Sequence, residues 1–155
     1  MTNLTQIKLP DDRVQQLRNL AEAQGTSLSG VVGSLMKLLY AHTEVEHDIP
    51  SIKVNALPDG LAIRFPESEM TGFSFEAASR LAGLIREYLR GEHAGEKRVE
   101  LTDPDSHAGS FAIWRRGKSI KIAIPLNANE KNFSHDLADE FADLLESAIA
   151  KAQVS

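Results

Sequence analysis

The chain of 155 residues contains no cysteine, which excludes disulfides, thiol nucleophiles and any cysteine-ligated metal. It has no apolar run near the roughly 20 residues that a membrane span requires. Its opening, MTNLTQIKLP, lacks the basic start and apolar core of a secretory signal. A cytoplasmic location with no membrane partner is therefore expected. Basic residues are outnumbered as well, 17 against 22 acidic. The net charge of −5 argues against a chain that binds nucleic acid over its whole surface. Apolar residues nevertheless make up 42% of the chain, enough for a buried core.

The charge is unevenly spread. Residues 1–43 carry four basic and three acidic residues, a net of +1, and residues 44–155 carry thirteen and nineteen, a net of −6. Between them, EVEHDIP (44–50) is polar, acidic and ends in proline. These features place a linker at 44–50, between a domain at 1–43 and another at 51–155.

The second part contains a repeat, of about 51–90 and 110–150. SIKVNALPDGLAIRFP (51–66) aligns with SFAIWRRGKSIKIAIP (110–125) at an offset of 59. Ile52, Val54, Leu61, Ile63 and Phe65 coincide with Phe111, Ile113, Ile120, Ile122 and Ile124. Each copy reads as a β-hairpin with alternating apolar residues and a glycine at its turn. The match resumes at an offset of 60, where FSFEAASRLAGLIREYL (73–89) lies over FSHDLADEFADLLESAI (133–149). Ser74 and Ser134 are placed as helix N-caps, and Phe73 and Phe133 as staples onto Ala78 and Ala138. Leu81, Leu84, Ile85 and Tyr88 form one apolar stripe; Phe141, Leu144, Leu145 and Ala148 form the other. The expectation is an α+β domain made of a duplicated ββα unit. It would be an antiparallel sheet of four strands or more with both helices on one face, or else two packed sheets. KRVELTD (97–103) would add a strand.

No catalytic constellation stands out. There is no nucleophile elbow, P-loop or dinucleotide fingerprint, and RGKS lacks the upstream glycine loop of a phosphate site. His135 and Asp139 have a spacing that can hold a metal, but no third ligand follows at motif spacing. EVEHD gathers Glu44, Glu46, His47 and Asp48 in the linker. The chain is expected to be neither an enzyme nor a cofactor binder. Trp114 falls opposite the apolar row of its strand; if exposed, it forms with Arg115 and Arg116 a candidate contact patch for a protein partner, and if covered by the added strand it is core.

The first part poses a different problem. In LTQIKLP (4–10), Thr5, Ile7 and Leu9 would share one face of a strand, with Leu4, Gln6 and Lys8 on the other. Pro10 ends the pairing, and Asp11 or Asp12 opens a helix with Val14, Leu17, Leu20 and Ala21 facing inward. Gly25 suits a left-handed C-cap. Ser27 or Thr26 caps a second helix in which Val31, Val32, Leu35, Leu38 and Leu39 are burial candidates. Gly30 and Gly33 weaken that helix by about 1 kcal/mol each and suit a close backbone approach. One strand cannot satisfy its own backbone, and about 38 residues are too few for a core of their own. An intertwined homodimer solves both problems, with two strands paired across a twofold axis and four helices closing one core.

This order of elements resembles the ribbon-helix-helix family of DNA-binding proteins, the Arc/MetJ or CopG-like superfamily. The likeness covers about residues 4–41 and is carried by TQIKLP, LRNLAEAQG and TSLSGVV. It implies that the paired strands enter the major groove of double-stranded DNA and that Leu4, Gln6 and Lys8 read bases. Gln6 suits adenine, Lys8 guanine, and Leu4 a thymine methyl. The start of the second helix, at Thr26, Ser27 and Leu28, would hold a phosphate, with Arg13 and Lys37 as further phosphate contacts. The likeness further implies a homodimeric transcriptional repressor or plasmid or mobile-element regulator. The C-terminal domain would then serve assembly into tetramers, a protein partner or an effector. The alternative is an interaction module, antitoxin-like or adaptor, in which the N-terminal segment only dimerises.

Overall fold

The computed structural model describes residues 4–43, 48–93, 98–102 and 110–154. The chain forms two compact units, Met1–His47 and Asp48–Ser155.

Among its described residues the first unit holds two helices, α1 (Asp11–Gln24) and α2 (Leu28–His42). Pro10 stands before α1, where its missing N–H is no loss. Asp11 and Asp12 occupy the first turn, where acidic groups favour the helix dipole. Gly25 ends the helix at φ 66°, a left-handed conformation in which a side chain would be strained. Ser27 caps α2, its Oγ accepting from Gly30 N at 3.0 Å. Residues 4–10 take no ladder in the single chain, in contrast to the strand expected there. A strand needs a neighbour, and among the described residues none lies alongside. Of the residues expected to face inward, only Ala21 and Val31 are buried; Leu20, Val32, Leu35, Leu38 and Leu39 are exposed. Two helices in contact have one shared seam, too little to cover the apolar faces of both.

Among its described residues the second unit is α+β, with two helices and two antiparallel sheets. The first sheet has the order β1 (Lys53–Leu57), β2 (Gly60–Arg64), β3 (Thr71–Ser74), and the second β4 (Val99–Thr102), β5 (Ser110–Arg116), β6 (Ser119–Ala123), β7 (Lys131–Phe133). Helices α3 (Phe75–Leu89) and α4 (His135–Val154) follow β3 and β7. Each repeat therefore has three strands before its helix, one more than the hairpin reading provides, and the strands divide into two sheets. The added strands are short, and they contain Phe73 and Phe133. These phenylalanines precede the caps Ser74 and Ser134 as expected, but they also pair with Leu61 and Ile120 across the ladders. At β2–β3 the two backbones approach closely: a Cβ on Gly60 would sit 1.8 Å from the Phe73 carbonyl oxygen.

One core serves both repeats. Phe65 of the first packs against Phe133 and Phe141 of the second, with ring centroids 5.8 and 5.6 Å away. Helix α4 lies on β1 and β2 as well as on β6 and β7, and α3 reaches β5. Tyr88 is fully buried, and its hydroxyl donates to the Ile113 carbonyl at 3.2 Å. The stripe residues Leu81, Leu84, Ile85, Phe141 and Leu145 are all buried in this core.

Candidate nucleic-acid interface

Leu4, Gln6 and Lys8 lie in the unpaired segment ahead of α1, and all three are exposed. Leu4 is 94% exposed and Ile7, on the alternate side, 81%. Apolar side chains rarely stand so far into solvent along a segment that also leaves its backbone groups without a ladder.

Thr26, Ser27 and Leu28 form the exposed turn into α2. Thr26 N donates to Ala21 O at 2.9 Å, which closes α1 and fixes the angle at which α2 departs. The Ser27 cap uses the Gly30 N–H. A helix start of this kind favours an anion through its dipole and its backbone donors. The structure does not gather the other two phosphate candidates there. Lys37 stands about 13 Å further along the axis of α2, at 1.5 Å per residue. Arg13 is in the first turn of α1, where its guanidinium donates to Gln16 Oε1 at 2.9 Å. It lines an open groove of about 520 Å³ with Gln16, Leu17, Asn19, Leu20 and Leu35.

That groove continues into an apolar row. On α2, Leu28, Val32, Leu35, Met36 and Leu39 recur at helical spacing, and every one is exposed. Sequence reasoning named most of this row as core, and the single chain leaves it in solvent.

In the second unit, Trp114 faces away from the core, since its strand neighbours Phe111 and Ile113 alternate inward. Arg98 lies over its ring at 4.6 Å from the centroid. Arg116 projects from the same face. Arg115 projects from the other, its guanidinium 3.2 Å from His135 Nε2. The three expected contact residues therefore divide between two faces. Beside Trp114 in the ladder, Lys121 is nearly buried and meets Glu130 at 3.7 Å. The Glu130 carboxyl is held below its ordinary range, first by its own backbone N–H and then by the Lys121 charge. Burial pushes the Lys131 amine down.

A cluster missed in the sequence lies between the two helices. Arg86 of α3 bonds to Asp139, to Asp143 at 2.5 Å and to Glu146 at 3.2 Å, all on α4. The bond to Glu146 is the leading reason that the guanidinium is held protonated even more firmly than usual. The available signal was the spacing of Asp139, Asp143 and Glu146, which puts three carboxylates along one side of a helix. Asp139 is thus engaged with Arg86 and His135 with Arg115, so the pair spaced for a metal does not converge. Among the described residues no three histidine or acidic side chains are grouped as a metal ion requires, and no helix is long and apolar enough to cross a membrane.

No family model, curated protein or solved structure matches this chain.

Proposed function

We propose that the chain is a homodimeric, sequence-specific DNA-binding protein of the ribbon-helix-helix kind, acting as a repressor or as a plasmid or mobile-element regulator. The observation that carries this reading is the coexistence, in one small unit, of an unpaired apolar–polar segment and an exposed apolar row on α2. Both are satisfied by a second copy. The two 4–10 segments pair with each other, Ile7 and Leu9 turn inward, and the α2 rows close a shared core. Leu4, Gln6 and Lys8 then form the outward face of a two-stranded ribbon, which fits a major groove. The starts of the two α2 helices flank the ribbon and hold phosphates through backbone N–H groups.

The test is a gel shift of the purified protein on DNA from upstream of its own gene, with unrelated DNA as competitor. Specific binding is expected, with an affinity that falls as salt rises. Gln6→Ala with Lys8→Ala should abolish discrimination between operator and competitor while leaving the dimer intact. Ser27→Ala should weaken binding to all sequences alike, because phosphate contacts carry no base information. If the double variant binds the operator as the parent does, the ribbon is not the reading head.

The alternative reading, a dimeric interaction module, is favoured by the acidity of the second unit. Under it, the same double variant would leave partner capture unchanged and no operator would be found.

A further inference from the structure

The first hairpin of each repeat closes on the same register. Leu57 pairs with Gly60 around Pro58 and Asp59, and Arg116 pairs with Ser119 around Gly117 and Lys118. At the offset of 59, Ala56, Leu57, Pro58 and Asp59 are the counterparts of Arg115, Arg116, Gly117 and Lys118. At the offset of 60, Phe75, the first residue of α3, is the counterpart of His135, the first of α4. One tip therefore carries a single carboxylate and the other three cations on the same framework. The first repeat forms this hairpin and this helix start with alanine, leucine, aspartate and phenylalanine, so the fold itself does not call for basic groups there.

Nor are those groups engaged with carboxylates inside the chain. Arg116 and Lys118 are exposed, and among the described residues neither has a hydrogen bond or an ion pair. Arg115 meets no carboxylate among the described residues; its guanidinium stands 3.2 Å from Nε2 of the exposed His135. A guanidinium can only donate, so that nitrogen accepts. Elsewhere in the unit Arg86, Arg90, Arg98 and Lys121 each lie against an acid. Arg115 leaves one side of the ribbon and Arg116 the other, with Lys118 in the turn between the strands. The tip thus presents positive charge to both sides and end-on, and these like charges repel one another until an anion lies against them.

We infer that the tip of the β5–β6 hairpin, through Arg115, Arg116 and Lys118, is a second DNA contact that holds the phosphate backbone without reading sequence. This inference rests on the DNA-binding reading and adds to it a contact made by the second unit. A small phosphorylated ligand is held in a concave site, whereas an exposed turn with cations on both sides suits an extended row of phosphates. The acidity of the rest of the unit sharpens the assignment, because like charge keeps those surfaces away from DNA and leaves the tip to approach it.

The experiment measures the affinity of the full chain for operator and for competitor DNA across about 0.05–0.2 M salt. Arg116→Leu with Lys118→Asp gives the second tip the residues of the first. Both affinities should fall together, by about tenfold or more at the lower salt, with discrimination between the two DNAs retained. The slope of log affinity against log salt should become shallower by about 0.9 for each phosphate contact removed. Lys53→Leu with Arg64→Asp makes the same change of charge on the other sheet. It should leave both affinities within about threefold of the parent, since a remote charge is screened beyond about 10 Å. Circular dichroism matching the parent shows that both variants fold. If the parent discriminates its operator and the tip variant keeps the parent's affinity and slope, this contact is refuted while the DNA-binding reading stands. An equal loss in the Lys53 and Arg64 variant would assign the effect to net charge and refute it too. A parent that binds no DNA would overturn both. Inorganic phosphate titrated into the parent without DNA should give no saturable binding up to about 1 mM; binding that the tip variant loses would make the tip a small-anion site instead.

Discussion

Truncating the exposed row on α2 tests the dimer most directly. Leu35 and Leu39 are 41% and 61% exposed in the single chain, so between them they leave about one leucine's worth of apolar surface in water. Burying a leucine completely is worth about 1.5–3 kcal/mol. In a twofold dimer the surface counts once per protomer, so the pair accounts for about 3–6 kcal/mol of association. Leu35→Ala with Leu39→Ala should weaken the dimer between about a hundred- and ten-thousand-fold, at 1.4 kcal/mol per decade. The helix itself is not at risk, because alanine is the better helix former. Sedimentation equilibrium over a concentration series reads the dissociation constant directly. The melting temperature should also become more dependent on protein concentration as dissociation enters the working range. The reasoning fails if the wild-type chain is monomeric at micromolar concentration. It also fails if the double variant changes the dissociation constant by only about twofold, the scale of an ordinary surface substitution.

Three further outcomes follow from the geometry. Gly60→Ala would drive a Cβ into the Phe73 carbonyl, so the β2–β3 ladder must part; a loss above about 3 kcal/mol is expected in urea unfolding, and an unchanged midpoint would contradict the close approach. Gly25→Ala meets no atom within 4 Å, so its cost is the left-handed backbone alone, about 1 kcal/mol, read from the same curves. Arg86→Met should cost about 2 kcal/mol at neutral pH by removing the cation that Asp139, Asp143 and Glu146 share. The loss is electrostatic, so the deficit should shrink as salt is raised from about 0.1 M to about 1 M, where charges are felt over about 10 Å and about 3 Å. A deficit equal at both ends of that range would mean that Arg86 acts by packing rather than charge.

Much of the second unit was legible because local signals agreed with one another. The caps Ser74 and Ser134, the stripes beginning at Leu81 and Phe141, and the alternation through Leu61 and Ile63 are each short-range patterns, and the offset of 59 to 60 residues let one copy check the other. What escaped were the elements without a period. TGFS and KNF are too short to alternate visibly, and their phenylalanines were already accounted for as helix staples. The division into two sheets was one of the two arrangements the pattern allowed; choosing it depends on which strands meet across the core, a long-range matter that no window of sequence contains. The Arg86 cluster likewise joins positions 53 to 60 residues apart. In the first unit the helices and their boundaries were legible from Pro10, Gly25 and Ser27. The fate of residues 4–10 was not, since a strand is decided by its neighbour and one chain supplies none.

The interlocked core has a consequence for how the two repeats can vary. Helix α4 covers strands of the first repeat, and Tyr88 is tied to β5 of the second, so neither half closes by itself. Two separate halves should reassemble when mixed, as complementary fragments do. Joining them in a single polypeptide relaxes a constraint that a symmetric pair of identical halves would impose. In such a pair, whatever stands at one position stands at its equivalent, so a cation there faces the same cation. Positions 86 and 146 are equivalent in the repeat, and here one is arginine and the other glutamate, bonded to each other. The fused chain can make opposites of twins, and the seam between its helices is built on that freedom.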